Sequence, residues 1–326
     1  LNLQPSTFNL QPLVSIVTPS YNQAQYLEQT IQSVLQQDYP LLEYIVVDGA
    51  STDGSVEIIK KYADRLTWWV SEPDKGQAEA INKGFRRARG EIVAWLNSDD
   101  LYLPGAIARA VTAFSTHPEA GLVYGDALSI DETGRPFNLM KQGNWGLEDL
   151  LAFRILTQPA VFMRRSVLEQ AGYLDWSYHM LLDHQLWIRM ARLAKMIYVP
   201  QLWAAARFHK GAKNLAQAAR FGEEAYLVLD WAQTQPDLAE LMTRQAPRIW
   251  ASAHRFNARY LLDGGQPWAA LKSYWRSASL SPSIALIEWH RILFAFLSLL
   301  GLGRLKNLYM RLVIRRFRKS QELQQE

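Results

Sequence analysis

Between Leu13 and His209 the chain alternates short apolar runs with stretches whose apolar positions recur at helical spacing, and no other feature constrains the fold as tightly. The runs 13–18, 43–48, 67–71 and 91–96 predict strands, and 23–36, 54–63 and 77–89 between them predict helices. Such alternation specifies an α/β architecture. Further on the signals thin: a helix opening at Pro104, a strand near Leu122–Tyr124, a turn at Gly134, a strand near Ala160–Met163 and a helix from about His184.

At 326 residues, 49% of them hydrophobic, the chain has the material for a sizeable core, and for one large domain with an appendage or two modest domains. Past Gly211 strand signals vanish and long helical patterns begin, so the spacing predicts a tail over 1–12, a body over 13–210 and an all-α region over 211–326. In that region Gly265, Ala270, Tyr274, Leu280 and Pro282 carry the spacing of a single tetratricopeptide-like hairpin, about 254–282. Stable arrays need about three repeats, so a helical pair packed on the body is the plainer reading.

Zero cysteines exclude disulfides, thiolate metal sites and cysteine nucleophiles, leaving oxygen or imidazole for any metal chemistry. The net charge is +4, but Arg304–Glu326 alone holds seven basic and two acidic residues, so the body is nearly neutral. A nucleic-acid surface needs basic residues spread along a face, and this pattern excludes one. Leu305, Leu308, Tyr309, Leu312, Val313 and Phe317 recur at helical spacing among those basic residues, within an amphipathic segment of about 284–320. Two readings stand side by side: a helix lying on an anionic membrane, or one docked on the protein with a solvated basic face. The apolar run 292–303 is 12 residues long, short of the roughly 20 that span a bilayer. Leu1–Pro12 has no signal-peptide pattern. Both point to a cytoplasmic protein, with the tail available to the cytoplasmic face of a membrane.

Two of the predicted strands end in carboxylates. Tyr44–Val47 leads to Asp48, and Ile92–Leu96 leads to Asn97-Ser98-Asp99-Asp100. Strand C-termini form the ligand edge of open α/β sheets, so separate acidic loops can meet over one pocket. Hard cations such as Mg²⁺ or Mn²⁺ take oxygen ligands and share their shell with substrate phosphates, so few protein carboxylates suffice.

Six blocks in order carry a resemblance. They are Val17-Thr18-Pro19-Ser20-Tyr21-Asn22, Val47-Asp48-Gly49-Ala50-Ser51-Thr52-Asp53-Gly54, Glu72-Pro73-Asp74-Lys75-Gly76, Asn82-Lys83-Gly84, Leu96-Asn97-Ser98-Asp99-Asp100 and Asp183-His184-Gln185-Leu186-Trp187. Together, over about 14–209, they resemble the family 2 glycosyltransferases, inverting enzymes of the GT-A fold that use nucleotide-diphosphate sugars. The resemblance implies a Rossmann-like nucleotide-sugar-binding domain with a mixed sheet, followed here by the all-α region.

It also implies roles. Asp48 matches the carboxylate that recognises the base, accepting the N3–H of uracil or the N–H groups of guanine. Pro19, Tyr21 and Asn22 form the turn over which the nucleotide packs, or serve as an ordinary strand-to-helix turn. Lys75 and the helix start at Gly76 can face a phosphate, while Asp74 can equally cap that helix. Asp53 is read as the cap of the helix from Ser55. Asn97-Ser98-Asp99 stands where the family has Asp-x-Asp: Asp99 as the direct metal ligand, Asn97 a neutral departure, Asp100 in support. His209 matches a histidine that reaches the metal in some relatives. Asp183 matches the general base that takes the proton of the acceptor hydroxyl, although Gln185 replaces a second acidic residue. Trp187 is read as core.

The expected partners are a nucleotide-diphospho-sugar donor, a uridine derivative first, and a glycan or lipid-linked acceptor of the cell envelope. Transfer of a single sugar is favoured because the Gln-x-x-Arg-Trp block of processive relatives is missing. The alternatives are a noncatalytic scaffold, which Asn97 and Gln185 leave open, and a sugar nucleotidyltransferase, which lacks its glycine-rich loop here because that position reads Pro-Ser-Tyr-Asn.

Overall fold

The computed structural model describes residues 11–209 and 218–302. Nine strands form one sheet: β1 (Val14–Ser20), β2 (Leu42–Asp48), β3 (Trp68–Ser71), β4 (Ile92–Trp95), β5 (Leu101–Tyr102), β6 (Ala120–Ile130), β7 (Pro136–Met140), β8 (Val161–Arg164) and β9 (Lys195–Arg207). Their order is β3-β2-β1-β4-β8-β6-β9-β5, with β7 beside β6. The first four are parallel, β8 joins β4 antiparallel, β6 is antiparallel to β8, and β9 runs parallel to β6. The sheet is therefore mixed, as the GT-A expectation requires.

Alternate side chains of these strands enter opposite layers. Val17, Ile45, Val47, Val93 and Trp95 pack into one core, and Val14, Ile16, Tyr44, Val46, Ile92 and Ala94 into the other. With both faces covered, strands read as near-continuous apolar runs. Helices α1 (Ala24–Leu35), α2 (Ser55–Lys61) and α4 (Ala106–Thr116) cover one face. On the other lie α3 (Gln77–Arg87), α5 (Leu147–Leu151), α6 (Arg165–Ala171) and α7 (Leu182–Ala191). Helix α3 sits so close to β1 that a Cβ at Gly84 would collide with Val17.

Several elements depart from the sequence reading, among them β5, β7, α5 and α6, which it did not anticipate. Helix α4 begins after Gly105 (φ 76°), not at Pro104. The 13-residue β9 was not expected, because Pro200 interrupts it and Ala204-Ala205-Ala206 favours helix. The strand absorbs Pro200 by slipping register: Tyr124 faces Tyr198, and Asp126 already faces Leu202.

The C-terminal helices are α8 (Ala218–Gln233), α9 (Ala239–Arg244), α10 (Ala246–Asp263), α11 (Pro267–Leu280), α12 (Pro282–Leu286) and α13 (Trp289–Leu299). Phe221, Val228 and Leu229 of α8 and Phe256 of α10 enter the same apolar core as Phe153, Leu182 and Leu186, so α8 and α10 finish the layer begun by α3 and α7. Helices α10 and α11 form a hairpin turned at Gly264-Gly265, tied by Ser277 Oγ to the Ala251 carbonyl (2.7 Å) and Asn257 to Ser273 Oγ (3.0 Å). Among the described residues no helix is long and apolar enough to cross a membrane. The basic positions from Arg304 onward lie outside the described residues.

Candidate active site

Three strands end level, because Ser20 pairs Asp48 and Asp48 pairs Ser71. Asp48 is fully buried. Its Oδ2 accepts the Ser51 amide (2.8 Å) and Ser71 Oγ (2.7 Å), and its Oδ1 accepts Ser51 Oγ (2.6 Å). These three bonds tie Asp48 to the 49–54 loop and to β3. Asn22, at φ 51°, accepts the Thr52 amide (2.9 Å) and donates its own amide to Ser51 Oγ (2.8 Å), which staples the β1 and β2 loops together. Asp53 accepts the Ala24 amide (2.9 Å) and the Ser55 amide and hydroxyl, so it serves the starts of both α1 and α2. Burial raises its pKa, but these bonds outweigh burial and leave it lowered.

Pro19 is buried in β1 opposite Val47 and shapes the strand end rather than the mouth. The mouth itself holds Tyr21, 63% exposed, and Asp74. They approach over Gly49: a Cβ there would lie 2.8 Å from Asp74 Oδ2 and 3.3 Å from the Tyr21 ring. Asp74 Oδ1 accepts the Gly76 amide (2.8 Å), and Gly76 (φ 117°) precedes α3 with no side chain capping the helix. Asp74 thus shapes the approach to α3 rather than capping its first turn. The Lys75 ammonium lies 4.9 Å over the Trp176 ring, on the wall of a cleft of about 480 Å³ between α3 and α7 that Arg86, Gln185 and Trp231 also line. Asp48, Asp99 and Asp183 do not line that cleft.

After β4, Asn97 Oδ1 accepts from Gln77 of α3 (2.8 Å), and its Nδ2 donates to Gln158 Oε1 (3.0 Å) and Asp100 Oδ2 (3.3 Å). The neutral amide is what lets this residue bond in both senses. Ser98 and Asp100 are buried. Asp100 Oδ1 accepts the Arg207 amide (2.9 Å), and burial, with the Asp99 charge beside it, raises its pKa well above the usual range. Asp100 therefore faces inward, a correction to its placement among metal ligands. Asp99 stays partly exposed, its Oδ2 3.1 Å from His209 Nε2, and the His209 ring packs 4.7 Å from that of Tyr26. No cluster of three His, Asp or Glu ligands occurs among the described residues. The pair Asp99 and His209 still fits a cation that completes its shell with diphosphate oxygens, which is how Mg²⁺ is commonly held.

Arg207, 4% exposed, escaped the sequence reading. Its Nε donates to the Asp99 carbonyl (2.9 Å), its guanidinium also bonds Gln29 (2.8 Å), and it lies 4.8 Å over Tyr26. The available signal was a lone cation closing an apolar run two residues before His209.

Asp183 sits in the first turn of α7, partly buried, with Oδ1 accepting the His184 amide (2.7 Å). Burial pushes its pKa up to about 6, against that amide bond and with help from the Glu224 charge. His184 is buried, its ring bonded to the Leu150 carbonyl (3.0 Å), and burial holds its pKa down at about 4, so it is neutral. Trp187, one turn beyond Asp183, stacks 5.2 Å from Trp95 at the end of β4 and belongs to the core. Glu224 of α8, which bonds the turn before α7, was not among the sequence candidates.

Residues 15–172 match the family model described as Glycosyl transferase family 2. The Nostoc protein alr2836, an uncharacterized glycosyltransferase, is 30% identical over 224 residues, covering 63% of this chain and 67% of the relative. TuaG of Bacillus subtilis, assigned to teichuronic acid biosynthesis, is 46% identical over 95 residues, 28% of this chain and 38% of its own. Among solved structures, the mannosyltransferase PcManGT from Pyrobaculum calidifontis, in complex with GDP-Man and Mn2+, aligns with a TM-score of 0.61 at 22% identity over 94% of this chain and 86% of that one, a likeness of fold. The chain spans 36%, 36% and 32% of the length of the first curated relatives it matches.

Proposed function

Since the chain belongs to glycosyl transferase family 2, we propose that it transfers one sugar, with inversion, from a nucleotide-diphosphate sugar to a hydroxyl of a cell-envelope glycan or lipid-linked acceptor. The observation that carries this reading is Asp183, a partly buried carboxyl with a pKa of about 6 at the start of α7. A base poised near the working pH is what activation of a weakly nucleophilic hydroxyl needs. Asp183 takes the acceptor proton as the hydroxyl oxygen bonds to the anomeric carbon and the bond from that carbon to the diphosphate breaks. The configuration inverts in that single displacement.

Asp99 and His209 would hold a divalent cation, Mg²⁺ or Mn²⁺, and Arg207 fixes the Asp99 backbone. When bound, the cation neutralises charge on the departing diphosphate. At the mouth, Tyr21 packs on the base and Asp74 Oδ2 accepts its N–H edge, with Asp48 ordering the loop between them. Uridine is the first choice of base. The envelope assignment draws on the family resemblance and on the name of TuaG.

A specific observation also favours a membrane-surface site of action. Helix α13 exposes Trp289, Leu293, Phe296 and Leu299 along its length, α11 exposes Trp268 and Trp275, and the basic positions from Arg304 follow in the sequence. Apolar and aromatic residues with adjacent cations suit an anionic lipid interface. Co-sedimentation with phosphatidylglycerol vesicles tests it; equal pelleting of the full chain and of a chain lacking 284–326 removes the proposal.

The catalytic reading is tested by a panel of UDP-glucose, UDP-N-acetylglucosamine and GDP-mannose, scored for binding and for hydrolysis with and without Mn²⁺. Metal-dependent turnover of one donor, lost in Asp99→Ala, is expected. Binding without turnover favours a scaffold, and no binding to any donor overturns the reading.

A further inference from the structure

Helix α8 carries a buried carboxylate that the reaction does not use directly. Glu224 is 6% exposed and bonds three consecutive backbone amides, His179 (2.9 and 3.1 Å), Met180 (2.8 Å) and Leu181 (2.9 Å). No cation pairs with it within 4 Å among the described residues. Charge buried without a countercharge is costly unless hydrogen bonds compensate it, and a run of amides converging on an anion does so. These amides immediately precede α7, which opens at Leu182, and Asp183 is its second residue.

We propose that Glu224 is a positioning residue: by gathering the amides of 179–181 it fixes the turn that aims the Asp183 carboxylate at the acceptor hydroxyl. The proposal rests on the reading of Asp183 as general base. The support is rigid at both ends. Phe221, Ala225, Val228 and Leu229 anchor α8 in the core that also holds Leu182 and Leu186 of α7, and the Trp187 ring is stacked on Trp95. The turn between them sends Tyr178, Met180 and Leu181 into that core, and Glu224 holds its backbone. A carboxylate suits this place because it offers acceptors alone: all three amides reach Oε2 and His179 also reaches Oε1, so in glutamine the NH2 would either face the His179 N–H or displace the oxygen that gathers all three. The helical region beyond residue 211 is on this account part of the catalytic apparatus, holding the base from behind while touching no substrate.

The test compares the full-length wild type, Glu224→Gln and Glu224→Ala in hydrolysis of whichever panel donor turns over fastest with Mn²⁺. It is accompanied by amide hydrogen exchange at 179–181 and by titration with that donor's nucleoside diphosphate to count binding-competent sites. In Glu224→Gln, kcat per competent site should fall on the order of 10²-fold, the cost of displacing a catalytic group by about 1 Å, with KM for the donor within about twofold. Exchange at 179–181 should accelerate. A purely structural role lowers the number of competent sites without changing kcat per site, and that result overturns the proposal, as does unchanged exchange in Glu224→Gln. Should Glu224→Ala not fold, the Gln variant carries the comparison. Asp183→Asn run in parallel separates the two failures. Full activity in Asp183→Asn sinks the general-base reading, whereas an inactive Asp183→Asn beside a wild-type Glu224→Gln sinks only the role of Glu224.

Discussion

The loops over β1, β2 and β4 and the turn before α7 both present carboxylates, but they hold them by opposite means. Asp48 and Asp53 accept bonds chiefly from amides and hydroxyls of their own short loops, and Asp53 titrates low as a result. Asp183 accepts little beyond its neighbour's amide, the Glu224 charge that acts on it is distant in the chain, and its helix neighbours His184 and Trp187 are held by Leu150 and Trp95. One region spends its carboxylates on building a mouth. The other keeps a carboxyl under-bonded and partly buried, which makes it basic enough to take a proton.

The largest expected effect tests this contrast directly. Asp183→Asn keeps the size and the His184 contact but removes the base, so kcat should fall by about 10²–10⁴-fold while donor binding is retained. In the wild type, turnover should rise with pH through about 6 as Asp183 ionises, a limb that a pH-rate profile reads and that the variant should lack. An acid limb near pH 4 would erase the distinction between the two regions.

Next is Arg207→Met, which removes a buried guanidinium bonded to the Asp99 carbonyl and Gln29. Leaving such acceptors unpaired should cost about 2–4 kcal/mol in urea unfolding and weaken Mn²⁺-dependent donor binding. Stability unchanged within 0.5 kcal/mol, on the order of a surface substitution, would show that the mouth is not held from below. Gly49→Ala places a methyl against Asp74 and Tyr21 and should weaken nucleotide binding by about tenfold in calorimetry without altering the pH limb.

The smallest effect separates stability from function. The folded-state pKa of Asp183, about 6, lies above its ordinary value of 3.8, so the stability it contributes is present at low pH and lost as pH rises through 6. Asp183→Asn should therefore be the more stable protein at pH 8, by on the order of 1–3 kcal/mol, with the advantage vanishing near pH 4. Equal melting temperatures at both pH values would mean that the carboxyl is better solvated than its burial implies.

The same contrast explains what could be read before any coordinates. Strands β1 to β4 and their helices follow local periodicity and are legible in a short window; Asp53, read as the cap of α2, gives that position to Gly54 and reaches the Ala24 amide 29 residues away. Strand β9 was hidden by Pro200 and three alanines, because its pairing with β6 overrides local preference. Asp48 was legible as a strand-end carboxylate, but its bond from Ser71 was not, since Ser71 arrives from another strand. Asp100 looks like Asp99 in the sequence; only the Arg207 amide, 107 residues away, turns it inward. Glu224 gives no sign at all, being one acidic residue on an amphipathic helix until its partners are seen.

Strand β9 reaches the sheet beside β6 and delivers Arg207 and His209 to Asp99, which was laid down more than a hundred residues earlier. A ribosome that has emitted everything through residue 194 has therefore released a polypeptide that holds Asp99 but neither the imidazole nor the guanidinium that gather around it. Any intermediate of synthesis shorter than this lacks that grouping, however well its early strands have formed.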